Sequence, residues 1–180
     1  MFHPRVFVPL LAIVAIVAGF GLAKFLEACP RSPVSRVKSD QRSFATALES
    51  YFVDNNAYPA MTSGPDDYVG SKGLSDSGIP SLRRYKGPGS VAALTTPVAY
   101  LPSHYPDACA AEGDSFGYYT VQTEKTSGWI MWSPGPDRKY DLDWKVYDPD
   151  VEQPSPELLL FAFDSTNGAL SRGDIFRVKQ

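Results

Sequence analysis

Apolar side chains recur every three or four residues between Val34 and about Asn55. The recurring positions are Val37, Gln41, Phe44, Leu48, Tyr51 and Phe52. Charged and hydroxyl side chains fill most of the positions between them, which gives the 3.6-residue period of an amphipathic helix with one buried face. Asp54-Asn55-Asn56 supplies the turn residues expected at the C-terminal end of that helix.

An uncharged stretch precedes this helix. Val6 to Ala23 is a run of 18 residues without a charged side chain, at the lower limit for a helix that spans a bilayer. We expect residues 1–24 to form a retained membrane anchor. The alternatives are a cleaved secretory peptide, although no small-x-small site ends the run, and a lipoprotein signal, because Leu26-Glu27-Ala28-Cys29 resembles a lipobox. Processing of the N-terminus and acylation at Cys29 are therefore left open.

Two prolines separate the apolar stretch from the amphipathic segment. Pro30 and Pro33 each lack a backbone N–H, and each would cost about 3 kcal/mol inside a helix. We therefore expect a break or kink near residues 29–33, or Pro33 as an early position of a new helix.

The second half of the chain contains candidate strands at residues 116–122, 129–133, 157–163 and 169–178. The first two are joined by a turn, and together they predict a hairpin. Residues 60–100 are rich in glycine and proline and predict a long, variable connection. The pattern predicts an α+β fold: a long N-terminal helix, made of the membrane segment and an amphipathic half over residues 25–59, packs on a small antiparallel sheet within residues 101–180.

Composition limits the possible functions. The 180 residues carry a net charge of −3, with both signs scattered, which excludes the clustered basic stripe of a nucleic-acid-binding protein. With His3 and His104 as the only histidines, a multi-histidine metal centre is impossible within one chain. Cys29 and Cys109 are expected to be free thiols, because one would lie near the membrane and the other in a distal loop.

The block from Val34 to Pro59 resembles a type IV pilin-like subunit, and most closely the major (G-type) pseudopilins of type II secretion systems. The resemblance rests on an amphipathic helix behind an apolar segment, its Asp-Asn-x-x-Tyr-Pro ending, and the Leu-x-x-Pro-x-x-Tyr-Leu pattern of residues 94–101. It implies a structural, non-enzymatic subunit that packs through its N-terminal helix with copies of itself, other pseudopilins or secretion components. It also implies a single pass through the cytoplasmic (inner) membrane and an extracytoplasmic or periplasmic head. Neither a small-molecule substrate nor a nucleic acid is implied.

The N-terminus departs from that family. Pseudopilins carry a Gly-Phe-Thr-Leu-Ile-Glu-type signal, whose glutamate pairs with a neighbour's amino terminus. This chain has Met1-Phe2 in place of Gly-Phe, and Val6 stands where the glutamate belongs. The alternative function is therefore a stand-alone, membrane-anchored or lipidated extracytoplasmic binding module that no longer polymerises.

Two segments resemble a calcium-binding loop of the G-type pseudopilins. Residues 133–137 are similar to the start of that loop, and residues 171–175 to its closing Asp-Ile. The resemblance implies Asp137 and Asp174 as metal ligands, and Asp141 and Asp143 are further carboxylates close in sequence. Calcium takes six to eight oxygen ligands from carboxylates and backbone carbonyls. Basic residues replace the expected glycine-rich run, so a solvated acidic turn is the alternative.

Signals for catalysis are weak. Ser103-His104-Tyr105-Pro106-Asp107 places a serine, a histidine and an aspartate side by side, but the members of a catalytic triad converge from separate segments. We therefore expect the chain not to be an enzyme.

Overall fold

The computed structural model describes residues 31–62, 74, 78–82, 94–95, 98–103, 105–111, 114–122, 126–166 and 171–179, with the backbone alone for residues 31 and 32. The described elements are α1 (Arg31–Asn55), β1 (Gly117–Gln122), β2 (Ser127–Ser133), a 3-10 turn (Trp144–Val146), α2 (Pro156–Leu159) and β3 (Ile175–Val178). They form an α+β arrangement in which α1 packs on a three-stranded antiparallel sheet.

The amphipathic period of α1 is confirmed by its burial. Val37, Phe44 and Leu48 are fully buried, and Gln41 is 2% exposed. Pro33 lies in the first turn of the helix, where a missing N–H costs no hydrogen bond. The helix ends at the predicted turn: Asn56 adopts the left-handed conformation, with φ 52°, and donates its N–H to Phe52 O.

The prediction of one long N-terminal helix that includes a membrane segment is wrong. The described helix α1 begins at Arg31 and has 25 residues, and its apolar positions form one stripe rather than a continuous surface. Among the residues that the structure describes, no helix combines the length and the apolar character needed to cross a bilayer. The proposed anchor over residues 1–24, and Cys29, lie outside the described residues.

The sheet has the strand order β1-β2-β3, and both pairs are antiparallel. The register places Gly117 opposite Trp132 in the first pair, and Ile130 opposite Val178 in the second. The predicted hairpin is confirmed, and the last predicted strand is confirmed over its final four residues.

The predicted strand at residues 157–163 is wrong. This segment instead begins inside the short helix α2, whose bounds are Pro156–Leu159. Ser155 caps that helix by accepting a hydrogen bond from the Leu158 N–H, and Pro156 takes the first helical position. Only Ala162 pairs like a strand, in one isolated parallel bridge with Asp174. The proline and the capping serine therefore outweigh the apolar run that suggested a strand.

Side chains of β2 alternate between two cores, one on each face of the sheet. Trp129 and Met131 face α1 and pack with Phe44 and Leu48. The other face is covered mainly by the chain after β2, together with Leu74 and Ile79 from before β1. Its core comprises Leu74, Ile79, Ile130, Trp132, Leu142, Tyr147, Leu158 and Val178. Because both faces are covered, β2 is buried along nearly its whole length.

A buried polar contact fixes α1 on the sheet. Gln41 donates its side-chain N–H to the backbone oxygen of Ile175 at 2.7 Å, across 134 residues of sequence. A buried amide needs such a partner, because leaving it unpaired costs about 1–3 kcal/mol. The polar residue in the predicted apolar stripe therefore sets the position of the helix against β3.

Candidate functional site

The acidic loop that sequence analysis singled out follows directly on β2. A tight turn opens it, because Arg138 donates its N–H to Gly135 O at 3.2 Å. Gly135 has φ +71° and Gly173 has φ +97°, and a Cβ built on Gly135 would lie 2.9 Å from Gly173 O. The two glycines let the start of this loop and the chain before β3 approach closely. The structure therefore brings together the two sequence segments that resemble the calcium loop.

Asp174 is the central residue of this junction and is fully buried. Its Oδ1 accepts a hydrogen bond from the Asp141 N–H at 3.2 Å, and its Oδ2 accepts one from the Leu142 N–H at 3.1 Å. Burial raises the pKa of Asp174 to about 7, the two N–H groups oppose that rise, and the nearby carboxylates of Asp141 and Asp137 add to it. The buried Asp174 side chain therefore holds the loop at residues 141–142 in place through these two hydrogen bonds, and we call this contact the Asp174 brace.

The other three candidate ligands make local contacts. Asp137 accepts a hydrogen bond from the Lys139 N–H at 3.2 Å. Asp143 caps the 3-10 turn by accepting one from the Lys145 N–H at 3.1 Å. Asp141 meets Asp174 through its backbone N–H, while its own side chain is exposed.

The described structure does not bring the four candidate carboxylates together as one group of metal ligands. Both oxygens of Asp174 already accept backbone N–H groups. Within the described part of the chain, no group of three or more His, Cys, Asp or Glu side chains converges as metal ligands would. Calcium binding at this loop stays a prediction, and none of the functional argument below depends on it.

A second buried carboxylate, Asp107, lies beside the end of β2. Its Oδ1 accepts hydrogen bonds from the Cys109 N–H at 2.8 Å and from Ser133 Oγ at 2.9 Å. Its Oδ2 is buried and has no hydrogen-bond partner among the described residues. Burial raises the pKa of Asp107 to about 6, although hydrogen bonds from the Cys109 backbone, the Ser133 hydroxyl and the Ala110 backbone lower it, and the charge of Asp40 on α1 raises it further.

Tyr140 and Cys109 share the surroundings of Asp107. Burial raises the pKa of Tyr140 well above its usual range, and the charges of Asp107 and Asp114 add to the rise. The Tyr140 hydroxyl is buried without a hydrogen-bond partner in the described structure. Burial and the charge of Asp107 raise the pKa of the Cys109 thiol to about 11. Cys109 is a free thiol, as expected, and its state at neutral pH is the unreactive protonated one.

Sequence analysis did not identify the structural role of Asp107, which it considered only as part of a Ser-His-Asp cluster. The available signal was the spacing Asp107-Ala108-Cys109, since an aspartate often accepts the N–H two residues further on. His104, the only nearby imidazole in sequence, lies outside the described residues. The described contacts of Asp107 and Asp174 hold loops together. The one hydroxyl that donates to Asp107 among the described contacts is that of Ser133, which is fully buried.

Comparison of the chain with protein families, with characterised proteins and with solved structures found no match.

Proposed function

We propose that this chain is a structural, pilin-like subunit whose helix-and-sheet head assembles with neighbouring subunits of a secretion or pilus-like apparatus. The uncharged sequence at residues 6–23 supports a membrane anchor, and the family resemblance implies that the head lies outside the cytoplasmic membrane. The family resemblance of residues 34–59 supports the proposal.

One observation carries the proposal: the two sides of α1 are suited to different contacts. One side is buried against the sheet through Val37, Phe44 and Leu48. The opposite side is exposed and polar over about three turns; it includes Ser35, Lys38, Ser39, Arg42, Ser43 and Thr46. A helix fixed to its own head on one side keeps the other side open to a neighbour.

Two hydroxyl groups on the exposed side, those of Ser43 and Thr46, form hydrogen bonds within the helix. Ser43 and Thr46 donate to the backbone oxygens four residues before them, at 3.3 and 3.1 Å. These side chains therefore present little unpaired polar surface, which allows close approach of another helix.

Disulfide crosslinking in native membranes tests the proposal. Ser39→Cys places a thiol on the exposed side of α1, in a chain that also carries Cys29→Ser. Cys109 is retained, because it is 3% exposed and the pKa of its thiol is raised to about 11. Assembly through α1 predicts a ladder of crosslinked oligomers under mild oxidation, and Glu152→Cys, on an exposed loop of the head, provides the matched control.

The second candidate function is the stand-alone binding module, favoured by Val6 at the position of the family's glutamate. It predicts that Ser39→Cys and Ser43→Cys both remain monomeric in membranes under conditions that oxidise an exposed thiol. That result would reject assembly through α1. Intact mass of the membrane form then distinguishes an uncut, a clipped and an acylated N-terminus.

A further inference from the structure

The backbone of β3 has an inner and an outer side. β3 is an edge strand that pairs with β2, and Lys179 extends this pairing by donating its N–H to Trp129 O at 3.0 Å. In an antiparallel pair, residues two apart point their backbone groups in the same direction. Residues 175, 177 and 179 therefore turn these groups toward β2, and residues 174, 176 and 178 turn them away from it.

The outer side is occupied at its start and open further along. Asp174 donates its N–H to Phe161 O at 2.7 Å and accepts the Phe163 N–H at 2.9 Å. No hydrogen bond occupies the outward N–H and C=O groups of Phe176 and Val178 within the described structure. The chain at 161–163 thus begins a fourth strand beside β3 and leaves it after a single bridge.

A groove of about 550 Å³ lies between this part of β3 and α1. Its lining comprises Ala45, Thr46, Glu49, Ser50, Val53, Trp129, Arg177, Val178 and Lys179. The helix side is mostly small side chains, and Val53 is 80% exposed. The hydroxyls of Thr46 and Ser50 donate to Arg42 O and Thr46 O, so this wall needs no polar partner from outside.

The charges in the groove favour an acidic partner. Glu49 accepts hydrogen bonds from Trp129 and Tyr58, and the Lys179 ammonium donates to Ser127 O. Arg177 has no carboxylate within ion-pair distance in the described part of the chain, where Arg36–Asp40 is the one ion pair. An opposite charge directly across from a strand residue stabilises pairing, so Arg177 favours a glutamate or aspartate on an added strand.

We propose that this groove binds an extended peptide segment of a partner protein, which adds to β3 as a fourth strand and places an acidic side chain against Arg177. Backbone hydrogen bonds to Phe176 and Val178 supply the affinity. The groove contacts every second side chain of the bound peptide and so supplies the specificity. Small or β-branched side chains fit beside Ala45 and Val53. The inference stands independently of the proposed pilin-like role, since it rests on the edge of β3 and the side of α1.

A selection with random decapeptides displayed on phage tests the proposal, with the full chain in detergent micelles as the target. Enriched peptides should alternate β-branched residues with one acidic residue. Synthetic copies of them should protect the amides of Phe176 and Val178 from hydrogen exchange. Ser50→Trp, which fills the groove from an exposed helix position, should weaken their binding at least tenfold.

Ser43→Trp is the matched control, because Ser43 is exposed on the same helix, makes the same hydrogen bond to the residue four before it and lies outside the groove lining. Arg177→Glu gives a second measurement: it should reverse the preference to peptides with a lysine. Selection of no peptide that protects these two amides would overturn the proposal. Equal loss of binding in Ser50→Trp and Ser43→Trp would overturn it as well, and so would protection of the amides by self-association of the chain alone.

Discussion

Trp129 on the central strand donates its indole N–H to Glu49 Oε1 on α1 at 2.8 Å. Tyr58, just beyond the helix, donates its hydroxyl to the same carboxylate, 3.1 Å from each oxygen. The stacked rings of Phe52 and Tyr58, with centroids 4.6 Å apart, flank this contact. The Glu49 carboxylate therefore joins the helix, the sheet and the turn that closes the helix. Burial of Tyr58 raises the pKa of its hydroxyl well above the usual range, and the charge of Glu49 adds to the rise.

Removal of this carboxylate should destabilise the head. Glu49→Ala leaves the buried Trp129 N–H without a partner, so we expect the free energy of unfolding to fall by about 1–3 kcal/mol. Urea unfolding followed by tryptophan fluorescence measures the change. Glu152→Ala, at an exposed position, should stay within about 0.5 kcal/mol of the wild type. An equal effect of the two substitutions would show that the Glu49 contact contributes nothing.

The close approach of the two chain segments at the acidic loop predicts an effect at Gly173. Gly173→Ala forces a side chain into φ +97°, and its Cβ would lie 2.7 Å from Phe161 O. We expect a loss of more than about 2 kcal/mol, since both backbone strain and a steric clash contribute. Thermal unfolding measures it.

Gly78→Ala separates the two contributions. Gly78 has φ +65°, but no atom of the described residues lies within 4 Å of a Cβ built on it. This substitution should cost only about 1–2 kcal/mol, the penalty of the left-handed conformation. If Gly173→Ala lowers the free energy of unfolding by no more than Gly78→Ala does, the close contact with the backbone of residues 161–162 makes no contribution to stability.

The sequence carried enough information for the helix and the hairpin, because their periods of 3.6 and 2 residues are set by burial on one face. The sequence pattern predicted the wrong structure for residues 157–163. The run at 157–163 has the composition of a strand, and the outcome depends on the cap at Ser155 and on the single bridge of Ala162. Asp174 was singled out by resemblance, but its role as a brace depends on backbone N–H groups 32 and 33 residues away. No local pattern in the sequence specifies such a contact.

The brace at Asp174 gives a third prediction. Asp174→Asn replaces one acceptor oxygen with an NH₂ group that would face a backbone N–H of Asp141 or Leu142. We expect the free energy of unfolding to fall by about 1–3 kcal/mol, with faster hydrogen exchange at those two amides. Asp143→Asn is the control, because asparagine is as good a capping residue as aspartate at the 3-10 turn. Similar losses in both variants would rule out a specific brace.

The buried carboxylate of Asp107 predicts an unusual dependence of stability on pH. Its pKa is raised to about 6 in the folded protein, against about 3.9 in an unfolded chain. Between these values the folded state binds the proton more tightly, so this group makes the protein more stable as pH falls. The charged and titratable groups around it are Asp40 on α1, and Tyr140 and Cys109 in the neighbouring loops.

Unfolding in urea at pH 7.5 and pH 4.5 measures this effect as a difference between the wild type and Asp107→Asn. The asparagine resembles the protonated acid and keeps an acceptor for Ser133 and the Cys109 N–H. The wild type should therefore gain about 2 kcal/mol relative to the variant on going to pH 4.5. Asp164 is exposed, and hydrogen bonds from Thr166 lower its pKa, so Asp164→Asn should show no such gain. A difference between wild type and Asp107→Asn that is the same at both pH values would mean that Asp107 is ionised throughout, with its charge fully compensated in the folded protein.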